Sequence, residues 1–88
     1  MPYINRTDRE KIDRNMVIPT GVGAGGLTYI LTHTCLSFLE NIEEEVGPIR
    51  FTDYAVVLGA LEATKLELYR RKIASYEDEK IKIHGDVY

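Results

Sequence analysis

The chain has no tryptophan, two phenylalanines, two methionines, three prolines and a single cysteine in 88 residues. One thiol cannot close an internal disulfide, so no covalent staple supports the core, and Cys35 fits a reducing compartment. Residues 15–49 hold no lysine or arginine and four glutamates. Residues 1–14 carry four basic and three acidic groups, and residues 50–88 carry seven of each sign. The net charge of −3 argues against nonspecific DNA binding. The dense but balanced C-terminal part suits a salt-bridged helix surface.

Long apolar runs are missing too. The longest stretch without Asp, Glu, Lys or Arg runs from Asn15 to Leu39, and it contains Pro19, four glycines and His33. Its apolar helical part falls well short of the roughly 20 residues a membrane span needs. The opening MPYINRTDRE lacks the apolar segment of a signal peptide. No membrane partner is therefore expected, and the cytoplasm is the expected location. No Cys–His cluster, nucleophile elbow, metal motif or Walker loop is present. Nothing nominates a catalytic residue, a metal or a cofactor, and the protein is not expected to be an enzyme.

What is there is helical, and 88 residues make one domain, 1–88, with a small core. The dominant stretch runs from Thr52 to Ile83. Thr52 is the expected N-cap, Asp53 puts negative charge at the favourable end of the dipole, and Gly85 is the expected stop. A helix over about 53–83 would be too long for so small a chain to cover. Either it breaks near Ala74–Ser75, or other copies cover it. Its first half, YAVVLGALEA, is apolar nearly all round, which calls for burial on all sides. The expected fold is an all-α bundle built as a homo-oligomer, a dimer or tetramer.

The second strong helix spans about 27–46. Leu27, Leu31, Thr34, Cys35, Phe38 and Ile42 share its apolar face, and Gly47-Pro48 ends it. Its late glutamates oppose the dipole, so a basic neighbour such as Arg50 is expected near them. Thr7-x-x-Glu10 matches a capping box for a short helix from Asp8 to about Arg14. Ile4 and Ile12 are candidates to pin it. Met16-Val17-Ile18 reads as a brief extended segment. Gly21, Gly23 and Gly26 satisfy G-x-G-x-x-G literally. They lack the preceding strand and the βαβ unit that give that spacing meaning, so a linker is the better reading and a phosphate cradle the weaker one.

Two groups of polar side chains stand out. Lys65, Tyr69, Lys72 and Tyr76 fall at 4,3,4 spacing on one face, flanked by Arg70 and Arg71 and followed by Glu77, Asp78 and Glu79. The bland reading is a helix leaving the core, its lysine stems on apolar surface; ordinary pairs such as Glu67–Arg71 need no function. The sharp one is an anion site, with cations supplying charge and tyrosines supplying stacking. Tyr29 and His33 share the side of the second helix away from its apolar face.

MPYI-x-x-x-D-R-x-x-I-D at 1–13, L-T-Y-x-L-T at 27–32 and L-E-A-x-K-L-E-L-Y-R-R-x-x-A-x-Y-E-D-E-K-I-x-x-x-G-D-V-Y at 61–88 resemble a family of small uncharacterised phage and bacterial proteins. That family carries a proline before Tyr76, where this chain has Ser75. It also carries an arginine at the position of His33. An arginine that binds an anion in relatives would be matched by His33 mainly when protonated.

The resemblance implies a phage setting, in which small oligomeric proteins bind host immune signalling nucleotides without cleaving them. The chemistry for such counter-defence would come from Tyr29, His33, Lys65, Tyr69, Arg70, Arg71, Lys72 and Tyr76, with Glu77 or Asp78 accepting ribose hydroxyls. The expected ligand is a cyclic nucleotide or an ADP-ribose-like molecule. The alternative is a structural or protein-interaction module with no small-molecule ligand.

Overall fold

The computed structural model of the protein describes residues 3–88; Met1 and Pro2, the first letters of the N-terminal motif, lie outside them. The described residues form helices and no strand: α1 (Arg6–Asn15), α2 (Ala24–Glu45), α3 (Phe51–Leu68), a π-helical turn (Tyr69–Ile73) and α4 (Ala74–His84). The all-α expectation holds, with one long helical run from α3 to α4. Contacts divide the residues into two compact units, Tyr3–Val57 and Leu58–Tyr88.

In the first unit, α1 starts two residues earlier than the Thr7 capping box implies. Asn5 is the cap: its Oδ1 accepts the Asp8 N–H at 2.9 Å, while its Nδ2 donates to Asp8 Oδ2 at 2.9 Å. Glu10, expected to reach back to Thr7, instead takes the Arg6 guanidinium at 3.1 Å. Asn-x-x-Asp does the same capping work as Thr-x-x-Glu two residues upstream, so the motif alone could not choose between them. Ile4 and Ile12 are exposed and pin nothing. Met16 has extended backbone, as expected.

The glycine stretch is the larger surprise. Gly21 has φ +77° and turns the chain, and Gly23 caps α2 without any side-chain bond. Helix α2 therefore begins at Ala24 rather than Leu27, and Gly25 and Gly26 lie within its first turn rather than in a linker. Val22 lies against that turn at Gly26, while nothing lies within 4 Å of a Cβ at Gly25. A Cβ added at Gly26 would come within 2.5 Å of Val22 Cγ1. The far end behaves as expected: Gly47, at φ +134°, donates to the Ile42 carbonyl at 3.3 Å and ends the helix before Pro48. Arg50 forms no ion pair with the α2 glutamates among the described residues.

Helix α3 starts at Phe51, so Thr52 sits inside its first turn rather than capping it. Asp53 does the capping: its Oδ2 accepts the Arg50 N–H at 2.9 Å. At the other end Gly85 ends α4 with φ +87° and ψ 156°, a conformation only glycine adopts without strain, and its N–H reaches the Ile81 carbonyl at 2.8 Å.

No described residue is buried. Within the first unit α1 and α2 do not touch each other. Ile30, Cys35, Leu39 and Ile42 are half-buried on α2, whereas Leu27, Leu31 and Phe38 of the expected apolar face are exposed. In α3, Phe51 is 80% and Leu58 64% exposed. Burying a leucine or phenylalanine side chain stabilises a fold by about 1.5–3 kcal/mol. Among the described residues every large apolar side chain leaves part of that term unused.

Candidate functional site

The π turn determines how the C-terminal side chains line up. The Ala74 N–H donates to the Tyr69 carbonyl, five residues back instead of four. One extra residue is absorbed, and the helical phase slips by about 100°. The 4,3,4 spacing of Lys65, Tyr69, Lys72 and Tyr76 assumes an unbroken α period. The slip takes Tyr76 off that line and brings Glu77 onto it.

One bond records the slip. In a regular α-helix, residues eight apart point about 80° apart around the axis. Across the wide turn Tyr69 and Glu77 behave as if seven apart, and the Tyr69 hydroxyl donates to Glu77 Oε1 at 2.8 Å. Accepting that bond, and its negative charge, make Glu77 the main reason that Tyr69 titrates above the ordinary tyrosine value of 10.0. Tyr88 and Asp78 push in the same direction. The clasp needs the neutral phenol. Its contribution is complete below the ordinary tyrosine value and is lost as pH rises through the raised one. Glu77→Gln is expected to return Tyr69 to the ordinary range. A phenolate absorbance titration, with Tyr69→Phe subtracted to isolate this residue, measures that; an unchanged Tyr69 titration would refute the clasp.

The remaining expected residues of the second unit are mostly engaged within it. Lys65 pairs with Glu62 at 3.0 Å. Arg70 takes both carboxylate oxygens of Glu67, Nε at 3.0 Å and Nη2 at 3.1 Å, so the pair is Glu67–Arg70 rather than Glu67–Arg71. Tyr76 carries the Lys80 ammonium 5.4 Å from its ring centre. Lys80 escaped the sequence reading although Tyr76-x-x-x-Lys80 is an ordinary i,i+4 pair. Arg71 and Lys72 form no ion pair among the described residues. Asp78 is exposed and contributes to the field at Tyr69.

Tyr29 and His33 lie in the first unit. One turn apart on α2, they stack with ring centres 4.2 Å apart and planes tilted by 36°. The spacing predicted that neighbourhood. Among the described residues no group of His, Cys, Asp and Glu is placed to hold a metal ion, and no helix is long and apolar enough to cross a membrane.

Fold and site together define a class: a small all-helical protein that carries tyrosines and cations on an open helix surface. The chain matches the family described as a domain of unknown function (DUF6899) over residues 1–87, and it belongs to that family. No curated protein and no solved structure matches it.

Proposed function

We propose that the protein is a non-enzymatic, self-assembling binder of a nucleotide-type anion. Two kinds of observation support this reading. The first is that no side chain is buried among the described residues, beside an α3 whose apolar residues point all round. Such a chain gains its core from other copies of itself, as a dimer or tetramer, and the helical bundle is completed between chains. The second, which carries the ligand, is the π turn. Arg71 and Lys72 lie in the same turn as Tyr69 and form no ion pair among the described residues. Phosphate is held well by guanidinium and ammonium groups, and tyrosine offers a ring face to a base. In a phage setting, binding without turnover would sequester a host immune signal, a cyclic nucleotide or an ADP-ribose-like molecule, in the host cytoplasm. The stacked Tyr29 and His33 give the assembly a further aromatic face.

Thermal shift across a panel of nucleotides tests the reading, since a ligand that binds only the folded state stabilises by about 2.7 kcal/mol at a hundredfold excess over its Kd. A clear rise in Tm with one class of nucleotide is expected. No rise with any nucleotide at saturating concentration would overturn the ligand reading.

A second reading, a protein-interaction module, is favoured by the segment 85–88, where Val87 is 94% exposed and Asp86 Oδ1 accepts the Tyr88 N–H at 2.9 Å. An apolar residue held out on an ordered tail suits docking to a protein. Affinity capture yielding one stoichiometric protein partner, with no small molecule in native mass spectra, would favour that reading over the first.

A further inference from the structure

We infer that the ligand is anchored by Arg71 and Lys72 rather than by Arg70 or Lys65, and that it carries two separated phosphates, as a dinucleotide does. This rests on the ligand reading above and narrows it. The second unit contains the cations Lys65, Arg70, Arg71, Lys72, Lys80 and Lys82. Lys65 is paired with Glu62, Arg70 with Glu67 and Lys82 with Glu79, while Lys80 rests over Tyr76. A ligand recruiting Arg70 must displace a two-point carboxylate contact. At Arg71 and Lys72 it displaces water. Each exposed pair is worth only about 0–1 kcal/mol, but that cost recurs for every paired cation the ligand would take.

Side-chain direction matters as well. Adjacent residues on a helix do not face each other; each step turns about 100° in an α-helix, and less in a π turn. Arg71 and Lys72 therefore diverge, and their heads do not converge on one compact phosphate. They suit two anionic groups set apart along the ligand. The π turn falls on these residues, and such insertions recur at functional sites. Net charge of −3 and the glutamate-rich residues 15–49 weigh against a long polyanion such as duplex DNA. Two phosphates joined through one or two nucleosides fit both constraints.

The test compares a 5′-phosphorylated, 3′,5′-linked adenylyl dinucleotide, which has two phosphates, with adenosine monophosphate, which has one. Calorimetric titration uses the full chain and the exposed-site variants Arg71→Ser, Lys72→Ser, Arg70→Ser and Lys65→Ser, each checked for native helicity and assembly. The inference expects the dinucleotide to bind about tenfold or more tighter than the monophosphate. It expects a loss of about tenfold or more with Arg71→Ser and with Lys72→Ser, and little change with the other two. Equal affinity for the two ligands, or losses confined to Arg70→Ser and Lys65→Ser, would overturn the inference while leaving nucleotide binding intact. No heat with either ligand at saturating concentration would remove the ligand reading and the inference together.

Discussion

Leu61→Asp is expected to convert a folded oligomer into a largely unfolded chain. Leu61 lies in the middle of α3, 41% exposed, beside Leu58 on a helix with no buried side chain among the described residues. Other copies of the chain are the proposed cover. Losing the leucine removes about 1.5–3 kcal/mol of burial, and a carboxylate left without a partner in the same place costs several more. A domain of this size has a net stability of only about 5–10 kcal/mol, and in a symmetric assembly every chain carries the change. The matched control is Glu79→Ala, which breaks the exposed Glu79–Lys82 contact at 3.4 Å and should cost no more than about 1 kcal/mol. Sedimentation velocity and far-UV circular dichroism read both variants. A wild-type chain that sediments as a well-folded monomer at high concentration would sink the account, as would a fully helical, fully assembled Leu61→Asp.

The parts of this fold legible in the sequence are those with a strong local cause. Gly47-Pro48 stops α2, and Gly85 stops α4 with positive φ, because no other residue accepts that backbone without strain. The apolar-rich first half of α3 reads as helix from its composition. Helix starts were less legible. Asn5 and Thr7 both suit an N-cap and differ little in capping strength, so sequence cannot rank them. At α3 residue preference favours Thr52, but the helix starts one residue earlier, where the Arg50 N–H donates to Asp53 Oδ2. The start of α2 was hidden for another reason. Gly25 and Gly26 carry low helix propensity and so read as loop, yet both lie in the first turn of α2, where Val22 takes the space a Cβ at Gly26 would need.

The candidate site divides in the same way. Tyr29 and His33 are one turn apart, and their stacking follows from that spacing alone. The cationic stripe depended on an unbroken period over many residues, and the π turn breaks it. No residue type in YRRKI demands a wide turn, so periodicity places Tyr76 where the protein places Glu77. A break near Ala74–Ser75 is one of the two expectations for this helix; the irregularity ends at Ile73, just before it, and is a slip in phase within continuous helix. Ser75 is the second residue of α4.

Deleting a single residue from the π turn should leave the protein as stable as before or more so, whereas the same deletion in α3 should ruin it. In a regular helix, losing one residue rotates everything beyond it by about 100° and scrambles every face. Deletion of Thr64 is expected to do this, separating the apolar residues of α3 on either side of the cut. Deletion of Arg71 removes the residue that the wide turn already absorbs. The turn closes to i→i−4 bonding, and α4 keeps its phase relative to α3. Tyr69 and Glu77 become seven apart, so their hydrogen bond persists and Tyr69 still titrates above its ordinary value. Thermal melts, sedimentation and the tyrosine titration distinguish the two deletions. Equal damage from both would show that the π turn is not a tolerated insertion and would remove the phase argument on which the alignment of Tyr69 with Glu77 rests. If the shorter chain melts at or above the wild-type temperature yet loses dinucleotide binding, the wide turn is retained for the cation it displays rather than for the fold. Such a cost in stability at a binding residue is expected where an irregular turn is kept for function.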